Sequence, residues 1–279
     1  MIRIVTDSTC DLTDELIREN DLTVIPLNVI IEGKTYADGV ELSKQEFYEK
    51  MDHLKILPST SQASPVTFQH HFQQILDQGD DVYYVGVSST FSGTIQSARI
   101  GRDMLDEPER VTIFDTLTVS LAQGGLALEA SKLAREGKSA EEITVHLNTL
   151  RQRQHIIFTA GGLDNLKKSG RINNLSFLFG SLLNIKPIFQ IDMAGVVQVF
   201  DKVRGKKNAA LALIRYLQEN KPDDNYDLAL LHTSEPDIAA SFKAVLEEYG
   251  FTKMRLFELS GVIGTHVGRG TYGVMFFSV

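Results

Sequence analysis

Short apolar runs separated by amphipathic stretches constrain the fold of the first 150 residues more than any other feature. Runs of this kind occupy residues 2–6, 81–87 and 111–114, and each is followed by a segment with helical spacing. A fourth, β-branched run at 23–31 contains Pro26, which favours an edge strand because proline cannot donate to a neighbouring strand. Buried strands that alternate with helices predict a mostly parallel sheet covered on both faces.

The pattern changes after residue 155. Two apolar segments, 185–191 and 196–203, flank the turn sequence Asp-Met-Ala-Gly, which predicts an antiparallel hairpin. Two long helical stretches follow at 206–219 and 236–249. We therefore predict an α/β fold with two lobes: an N-terminal α/β lobe over residues 1–158, and a C-terminal α+β lobe with a partly antiparallel sheet over residues 159–279.

Charge and cysteine content exclude several classes of protein. The chain has 279 residues with 28 Lys+Arg against 36 Asp+Glu, a net charge of −8, whereas nucleic-acid binding needs a basic face. One cysteine, Cys10, cannot form an internal disulfide. Asp7 and Asp11 come before any apolar core of a signal peptide could form, so we expect a cytoplasmic protein without a membrane span.

Polar clusters follow two of the predicted strands. Asp7 begins one of them, and the other extends from Ser88 to Thr94, where a helix begins. Because ligands of open α/β sheets bind beyond the carboxyl ends of the strands, the hydroxyl and backbone N–H groups of the second cluster would suit an anion. The alternative is that Ser92 and Thr94 only cap the helix. A third polar cluster, at 58–62, is predicted to be a loop.

His266 is the histidine with the strongest claim to a function. It lies in a glycine-rich segment, 264–270, which we expect to be a loop that gives access to the imidazole; the alternative is a surface turn. The sequence Gly-x-Gly-x-x-Gly at 268–273 matches a dinucleotide fingerprint but precedes a predicted strand instead of a helix, so we reject it. No nucleotide or metal motif remains, and no Gly-x-Ser-x-Gly elbow surrounds Ser92.

Five motifs occur in an order that resembles one family. They are Thr6-Asp7-Ser8-Thr9-Cys10-Asp11-Leu12, Thr60-Ser61-Gln62, Ser88-Ser89 through Ser92-Gly93-Thr94 with Gln96-Ser97-Ala98, Lys168-Ser169-Gly170-Arg171-Ile172, and Thr265-His266-Val267-Gly268. Together they span essentially the whole chain. The series resembles the DegV family, whose fatty-acid-binding members deliver substrate to bacterial fatty acid kinase.

The resemblance implies a two-lobed fold with one long-chain fatty acid between the lobes and no other cofactor. By position, Thr60 and Ser92 would hold the carboxylate, and Ser61 is a further expected contact. His266 matches a histidine near the head group. Arg171 and Arg204 match basic positions linked to the phosphate or the kinase surface. The implied partners are the catalytic subunit of a fatty acid kinase and an acyltransferase or a transient membrane surface.

The chain departs from the family pattern at two positions. Ala63 stands where relatives usually have proline, and Arg269 stands in a segment that often reads Gly-Pro-Gly. We expect the first change to alter loop stiffness and the second to add charge beside the entrance to the site.

A lipid ligand is consistent with simple energetics. A tail of ~15 methylenes at ~0.8 kcal/mol each would supply up to ~12 kcal/mol before ordering costs, against ~1.5–3 kcal/mol for a hydroxyl–carboxylate bond. The tail would give affinity and the head-group residues orientation. The 15 phenylalanines and the apolar segment 175–183 would suit a tunnel, although core packing explains any apolar stripe equally well.

Two other functions stay open at this stage. A serine-dependent acyl-ester or thioester hydrolase would use Ser92 as nucleophile and His266 as base, and it differs from a carrier in whether the serine becomes acylated. A regulatory protein for which the bound lipid is a signal would have the same sequence features as a carrier.

Overall fold

A computed structural model describes residues 1–161, 163–171 and 185–279 of the chain. Contacts between Cα atoms divide it into two compact units, residues 1–43 with 60–152 and residues 44–59 with 153–279. We predicted one division, after residue 158, and did not predict that residues 44–59 belong to the second unit.

Strands and helices alternate along most of the chain. The strands are β1 (Ile2–Asp7), β2 (Thr23–Ile25), β3 (Asn28–Ile31), β4 (Lys34–Ala37), β5 (Ser59–Ser61), β6 (Asp81–Gly86), β7 (Val111–Asp115), β8 (Gln154–Thr159), β9 (Ile185–Ile191), β10 (Val197–Arg204), β11 (Leu228–His232), β12 (Met254–Glu258) and β13 (Tyr272–Phe277). The α-helices are α1 (Asp14–Glu19), α2 (Lys44–Met51), α3 (Pro65–Leu76), α4 (Thr94–Asp103), α5 (Leu121–Arg135), α6 (Ala140–Arg151), α7 (Asp164–Ser169), α8 (Gly205–Asn220), α9 (Pro236–Glu248) and α10 (Gly261–Val267).

The first unit is built on a parallel sheet of four strands in the order β2-β1-β6-β7. Helices α3 and α5 pack against its central strands. The strand order places β2, which ends just before Pro26, at an edge, as the proline predicted. The predicted α/β class is confirmed, and the carboxyl ends of β1, β6 and β7 meet at one edge of the sheet.

The second unit contains a mixed sheet of six strands in the order β10-β9-β8-β13-β11-β12. The predicted hairpin is confirmed as β9 and β10, which pair antiparallel. Only β11 and β12 run parallel to each other among the described neighbours. Helices α8 and α9 bury apolar side chains, including Leu213, Leu217 and Phe242, in a core with β11 and β13.

Capping hydrogen bonds fix the start of several helices. Thr13, Ser64 and Ser139 precede α1, α3 and α6, and each side chain accepts a hydrogen bond from a backbone N–H in the first turn of its helix. Such bonds satisfy donors that a helix cannot use internally, which is why short polar residues mark helix starts so reliably.

Candidate ligand-binding site

A buried carboxylate organises the carboxyl edge of the parallel sheet. Asp7, the last residue of β1, is fully buried, and its Oδ1 accepts the N–H of Thr9 at 3.1 Å. Its Oδ2 accepts the hydroxyl of Tyr84 at 2.7 Å and the N–H of Val87 at 3.1 Å. Burial, with Asp7 as the next cause, raises the pKa of Tyr84 well above its usual value, so the phenol stays a donor. Asp7 therefore fixes the start of the loop that follows β6.

Backbone N–H groups of that loop are mostly used within the first unit. Those of Phe91 and Ser92 donate to the carbonyl of Ser88 at 3.1 Å, and that of Ser89 donates to the carboxylate of Asp115 at 3.2 Å. Thr90 donates its N–H to the hydroxyl of Ser88 at 3.1 Å. The expected anion cradle of backbone N–H groups is thus largely engaged, because the loop makes a tight turn. This leaves side-chain hydroxyls as the better donors for an anion.

The hydroxyl of Ser92 is paired with the first residue of α4. Its Oγ accepts the N–H of Thr94 at 3.2 Å and lies 2.7 Å from the Oγ1 of Thr94, which is fully buried. Either hydroxyl can be the donor in this second contact, and when Thr94 donates, Ser92 keeps its own proton for a ligand. Helix α4 has Gly93 as its N-cap with no side-chain bond to it. Ser92 therefore satisfies one N–H at the start of the helix, and its side chain is only half-buried.

The segment with Thr60 and Ser61 is held beside this turn. We expected a loop at 58–62, but Ser59–Ser61 form β5 in a three-stranded sheet of order β4-β3-β5. Asn28, on β3, donates from Nδ2 to the Oγ of Ser61 at 3.2 Å and to the carbonyl of Gln62 at 3.3 Å. The loop prediction was wrong because the pairing partner lies about 30 residues earlier in the chain, out of reach of local patterns.

Gln62 joins the two hydroxyl-bearing segments. Its Nε2 donates to the Oγ of Ser97 at 2.7 Å, in the first turns of α4. The first unit thus brings the Thr60–Ser61 segment to the start of the helix that Ser92 precedes. Nothing in the sequence pointed to Asn28, and the sequence indicated no role for Gln62 beyond its place in the Thr60-Ser61-Gln62 motif.

His266 belongs to the second unit and lies in a helix, which corrects the expected loop. It occupies the last turn of α10, whose N-cap Ser260 accepts the N–H of Ile263 at 3.4 Å. A Cβ added at Gly264 would lie 2.6 Å from the hydroxyl of Tyr48, on α2. Gly264 has an ordinary backbone conformation, and its lack of a side chain lets α10 pack closely against Tyr48. The glycine here serves packing within a helix, whereas the glycine content of the segment suggested a turn.

The imidazole of His266 is uncharged at neutral pH. Burial and then the positive charge of Arg171 lower its pKa to about 4. Arg171 follows α7, and its guanidinium donates to the carbonyl of Ser169. Asn165, on α7, donates from Nδ2 to the carbonyl of Thr265 at 3.0 Å. The second unit therefore brings Arg171 and His266 together, and a neutral imidazole offers a ligand one N–H donor.

Arg204 lies at the end of β10. It is exposed and is the N-cap of α8, and its carbonyl accepts the Nδ2 of Asn208 at 2.8 Å. Lys186, which the neighbouring strand β9 pairs with Val203, lies close to Lys206, since burial and then the charge of Lys206 lower the pKa of Lys186. Arg204 is thus available at the surface for an anionic partner.

Arg269 does not add a free charge, contrary to the expectation from its departure from the family pattern. Its guanidinium donates to the carbonyl of Tyr48 at 3.1 Å and to the Oγ of Ser234 at 3.1 Å, and it pairs with the carboxylate of Asp52. The side chain ties α2 to two turns of the second unit. No local signal around Arg269 could have indicated these partners.

Two of the sequence features named above fall outside the part of the chain that the structure describes. The apolar segment 175–183 and Ile172 lie outside the described residues. Across the described ranges, no three His, Cys, Asp or Glu side chains group as metal ligands would. In the same part of the chain, every helix is too short or too polar to cross a bilayer.

Curated proteins are similar to this chain over nearly its whole length. A DegV domain-containing protein of Caldanaerobacter subterraneus is 38% identical over 279 residues, covering 99% of this chain and 98% of that protein. A similar protein of Deinococcus radiodurans is 38% identical over 276 residues, covering 98% and 97%.

Solved structures share the fold over the whole chain. A DegV family protein of Thermus thermophilus, described for its fatty acid binding, has a TM-score of 0.90 at 31% identity and covers 100% of this chain and 99% of that one. DegV of Bacillus subtilis, described as a fatty acid binding protein, has a TM-score of 0.86 at 29% identity, with coverages of 100% and 99%. A stearic acid-binding protein of Eubacterium ventriosum has a TM-score of 0.89 at 26% identity, with coverages of 100% and 98%.

A protein-family model matches residues 1–279 of the chain. Its description reads "Uncharacterised protein, DegV family". This chain therefore belongs to the DegV family.

Proposed function

We propose that this protein binds one long-chain fatty acid and presents its carboxylate to a separate, ATP-dependent fatty acid kinase. The hydroxyls of Thr60 and Ser92 would donate to the carboxylate, with Ser61 as a further contact. The observation that carries the proposal is the hydrogen-bonded link through Gln62, which places the Thr60–Ser61 segment beside the turn with Ser92. Relatives described as fatty acid binding proteins support the choice of ligand.

Residues of the second unit have roles suited to the later step. His266 is neutral, so it would act as a hydrogen-bond donor to the head group or to the acyl phosphate instead of as a counter-charge. Arg171 and Arg204 would supply positive charge to the phosphate or to the acidic surface of the kinase. An acyltransferase or a membrane surface would then receive the product, and we place these partners in the cytoplasm with the carrier.

The proposed division of labour follows from the size of the two interactions. Burial of the tail would supply most of the binding free energy, and each hydroxyl–carboxylate bond would contribute ~1.5–3 kcal/mol. Loss of one hydroxyl should therefore leave the lipid bound but misplaced for phosphoryl transfer, which depends on the position of the attacking carboxylate oxygen.

Mass spectrometry of the protein purified from bacteria tests the ligand. We expect a near-stoichiometric fatty acid in the native spectrum that is lost on denaturation. With the partner kinase present, Ser92→Ala should keep the lipid, but the bound fatty acid should be phosphorylated at least about tenfold more slowly, since one charge-assisted bond is worth about that factor. Ser89→Ala, an exposed serine in the same loop, is the matched control. A protein that is empty and refuses added palmitate or oleate would overturn the proposal.

The hydrolase alternative predicts a different result in the same experiment. An acyl adduct on Ser92 that survives denaturation, or labelling of Ser92 by a fluorophosphonate, would favour it. The lowered pKa of His266 argues against that outcome, because a base with a pKa of about 4 accepts a proton poorly at neutral pH.

A further inference from the structure

We infer that Gln62 is a positioning residue that sets the spacing between the two head-group hydroxyls, and thereby gives this protein its preference for a carboxylate over an uncharged head group. The inference rests on the proposed function. It concerns a side chain that need not touch the ligand itself, and it is carried by contacts at both ends of that side chain.

The amide end of Gln62 is hydrogen-bonded to the first turns of α4. Its Nε2 donates to the Oγ of Ser97 at 2.7 Å, and Ser97 is buried. On its other side, a Cβ added at Gly93 would lie 2.2 Å from the Oε1 of Gln62. Gly93 has φ −72°, an ordinary value for any residue, so a side chain there would have to displace the amide end of Gln62 and would meet no backbone strain. Ser97 and Gly93 are themselves tied, because the N–H of Ser97 donates to the carbonyl of Gly93 at 3.0 Å.

The backbone end of Gln62 is fixed to the three-stranded sheet. Asn28 donates to its carbonyl at 3.3 Å and to the Oγ of Ser61 at 3.2 Å. Thr60 lies two residues before Gln62, and Ser92 lies next to Gly93. Thr60 is therefore two residues from one end of the side-chain link, and Ser92 is five residues from Ser97 at the other end and adjoins Gly93, which lies beside the amide.

A carboxylate demands this kind of link more than other head groups do. Its two oxygens are a fixed distance apart and can accept from two hydroxyls at once only if those hydroxyls are held at a matching separation. An alcohol or an ester carbonyl presents one acceptor oxygen and does not need two donors held at a fixed separation. Spacing between Thr60 and Ser92 therefore affects recognition of the carboxylate and leaves binding of the tail unchanged.

Gln62 differs in this respect from an ordinary surface glutamine of the same unit. Gln73 is also bonded through Nε2, at 2.7 Å to the Oδ1 of Asp77, but that partner is four residues away on the adjoining turn. The bond of Gln62 joins residues 35 positions apart in the chain. Gln73→Ala is thus a matched control that removes a glutamine bond of equal length from outside the site.

The test compares the dissociation constants of palmitate and of hexadecan-1-ol, which has the same tail and no carboxylate. We expect the wild-type protein to prefer palmitate. Gln62→Ala should weaken palmitate binding about tenfold, the value of one charge-assisted hydrogen bond, and leave hexadecan-1-ol binding unchanged. Ser97→Ala removes the same bond from the other side and should act in the same direction, and Gln73→Ala should change neither constant.

Three results would count against the inference or against its basis. If Gln62→Ala weakens both ligands equally, the side chain has only a structural role. If Gln62→Ala and Ser97→Ala keep the preference for palmitate while Ser92→Ala loses it, the hydroxyl site stands and the positioning role falls. If the wild-type protein does not bind palmitate, or if Thr60→Ala and Ser92→Ala both keep its preference, the proposed function itself fails.

Discussion

The two units hold their candidate site residues by different means. In the first unit, buried polar groups accept hydrogen bonds near the candidate residues: Asp7 accepts four donors at the loop that leads to Ser92, and Ser97 accepts Gln62, which follows the Thr60–Ser61 segment. In the second unit, His266 is fixed by the packing of a short helix against Tyr48 and by one bond from Asn165 to the helix backbone.

This difference separates orientation from charge. The hydroxyls of Thr60, Ser61 and Ser92 stay uncharged over a wide range of pH, because an aliphatic hydroxyl keeps its proton there. A half-buried imidazole beside an arginine keeps its position by packing, but its charge depends on pH. We therefore expect the hydroxyls of the first unit to respond less to pH than His266 of the second unit.

The largest effect should come from removing the buried carboxylate of the first unit. Asp7→Ala leaves the hydroxyl of Tyr84 and the N–H groups of Thr9 and Val87 without their acceptor. At ~1–3 kcal/mol for each unsatisfied donor, partly relieved by water, we expect a loss of about 3–5 kcal/mol in the free energy of unfolding. Urea unfolding followed by circular dichroism measures it.

Asp103→Ala is the control for this substitution, because Asp103 is exposed and pairs only at the surface with Arg102. We expect it to change stability by less than about 0.5 kcal/mol. A loss below about 1 kcal/mol in Asp7→Ala would contradict this expectation, because it would mean that the buried hydrogen bonds of Asp7 contribute little to the stability of the first unit.

The second effect is a dependence of stability on pH through His266. Its pKa falls from 6.5 to about 4 on folding, so the unfolded chain binds more protons between these values. Stability from this group is complete above pH 6.5 and is lost as pH falls towards 4, by about 3 kcal/mol at most. Denaturant unfolding at a series of pH values should show a shallower loss in His266→Gln than in the wild type.

The difference between the two proteins is the quantity to follow, because burial also lowers the pKa values of His71, His155 and His232. These histidines remain in both proteins and contribute in the same direction. Superimposable pH profiles for the variant and the wild type would show that His266 titrates as it would in water, contrary to the expected role of the second unit.

Overpacking the short helix should cost less. In Gly264→Ala, the new methyl group would lie 2.6 Å from the hydroxyl of Tyr48 and 2.8 Å from the ring of Phe47. We expect a loss of about 1–3 kcal/mol in the free energy of unfolding, because α10 and α2 must move apart. Gly137→Ala is a poor control since that residue has φ +78°, whereas Ser241→Ala tests a helix of the same unit at an exposed position. Equal stability of Gly264→Ala and the wild type would mean that packing does not position His266.

The smallest effect should come from Arg269→Ala. The substitution removes bonds to the Tyr48 carbonyl and to Ser234 together with a partly exposed ion pair to Asp52. We expect a loss of about 1 kcal/mol that shrinks in high salt, as surface ion pairs do. Arg215→Ala, which loses one exposed pair with Asp201, should cost less than this. Thermal unfolding at low and high salt compares the two, and no loss in Arg269→Ala would leave α2 held by its other contacts alone.

Local patterns accounted for much of the fold and for the identity of the candidate residues. Thr13, Ser64 and Ser139 begin helices because a side-chain oxygen can accept a nearby N–H, and such a bond involves residues three positions apart. The β9–β10 hairpin follows equally from its turn sequence. These patterns missed the secondary structure of the candidates: Thr60 and Ser61 lie in a strand, and His266 lies in a helix.

The sequence by itself determined the α/β class, the polar carboxyl edge of the parallel sheet and the motifs of the DegV family, because each depends on residues close together in the chain or on their order. Only the tertiary structure decided that residues 44–59 belong to the second unit, that Gln62 reaches Ser97, and that Arg269 is bonded to α2. The partners in these contacts lie from 35 to 221 positions apart. Contacts between residues so far apart in sequence depend on how sheets and helices pack, and no local periodicity encodes them.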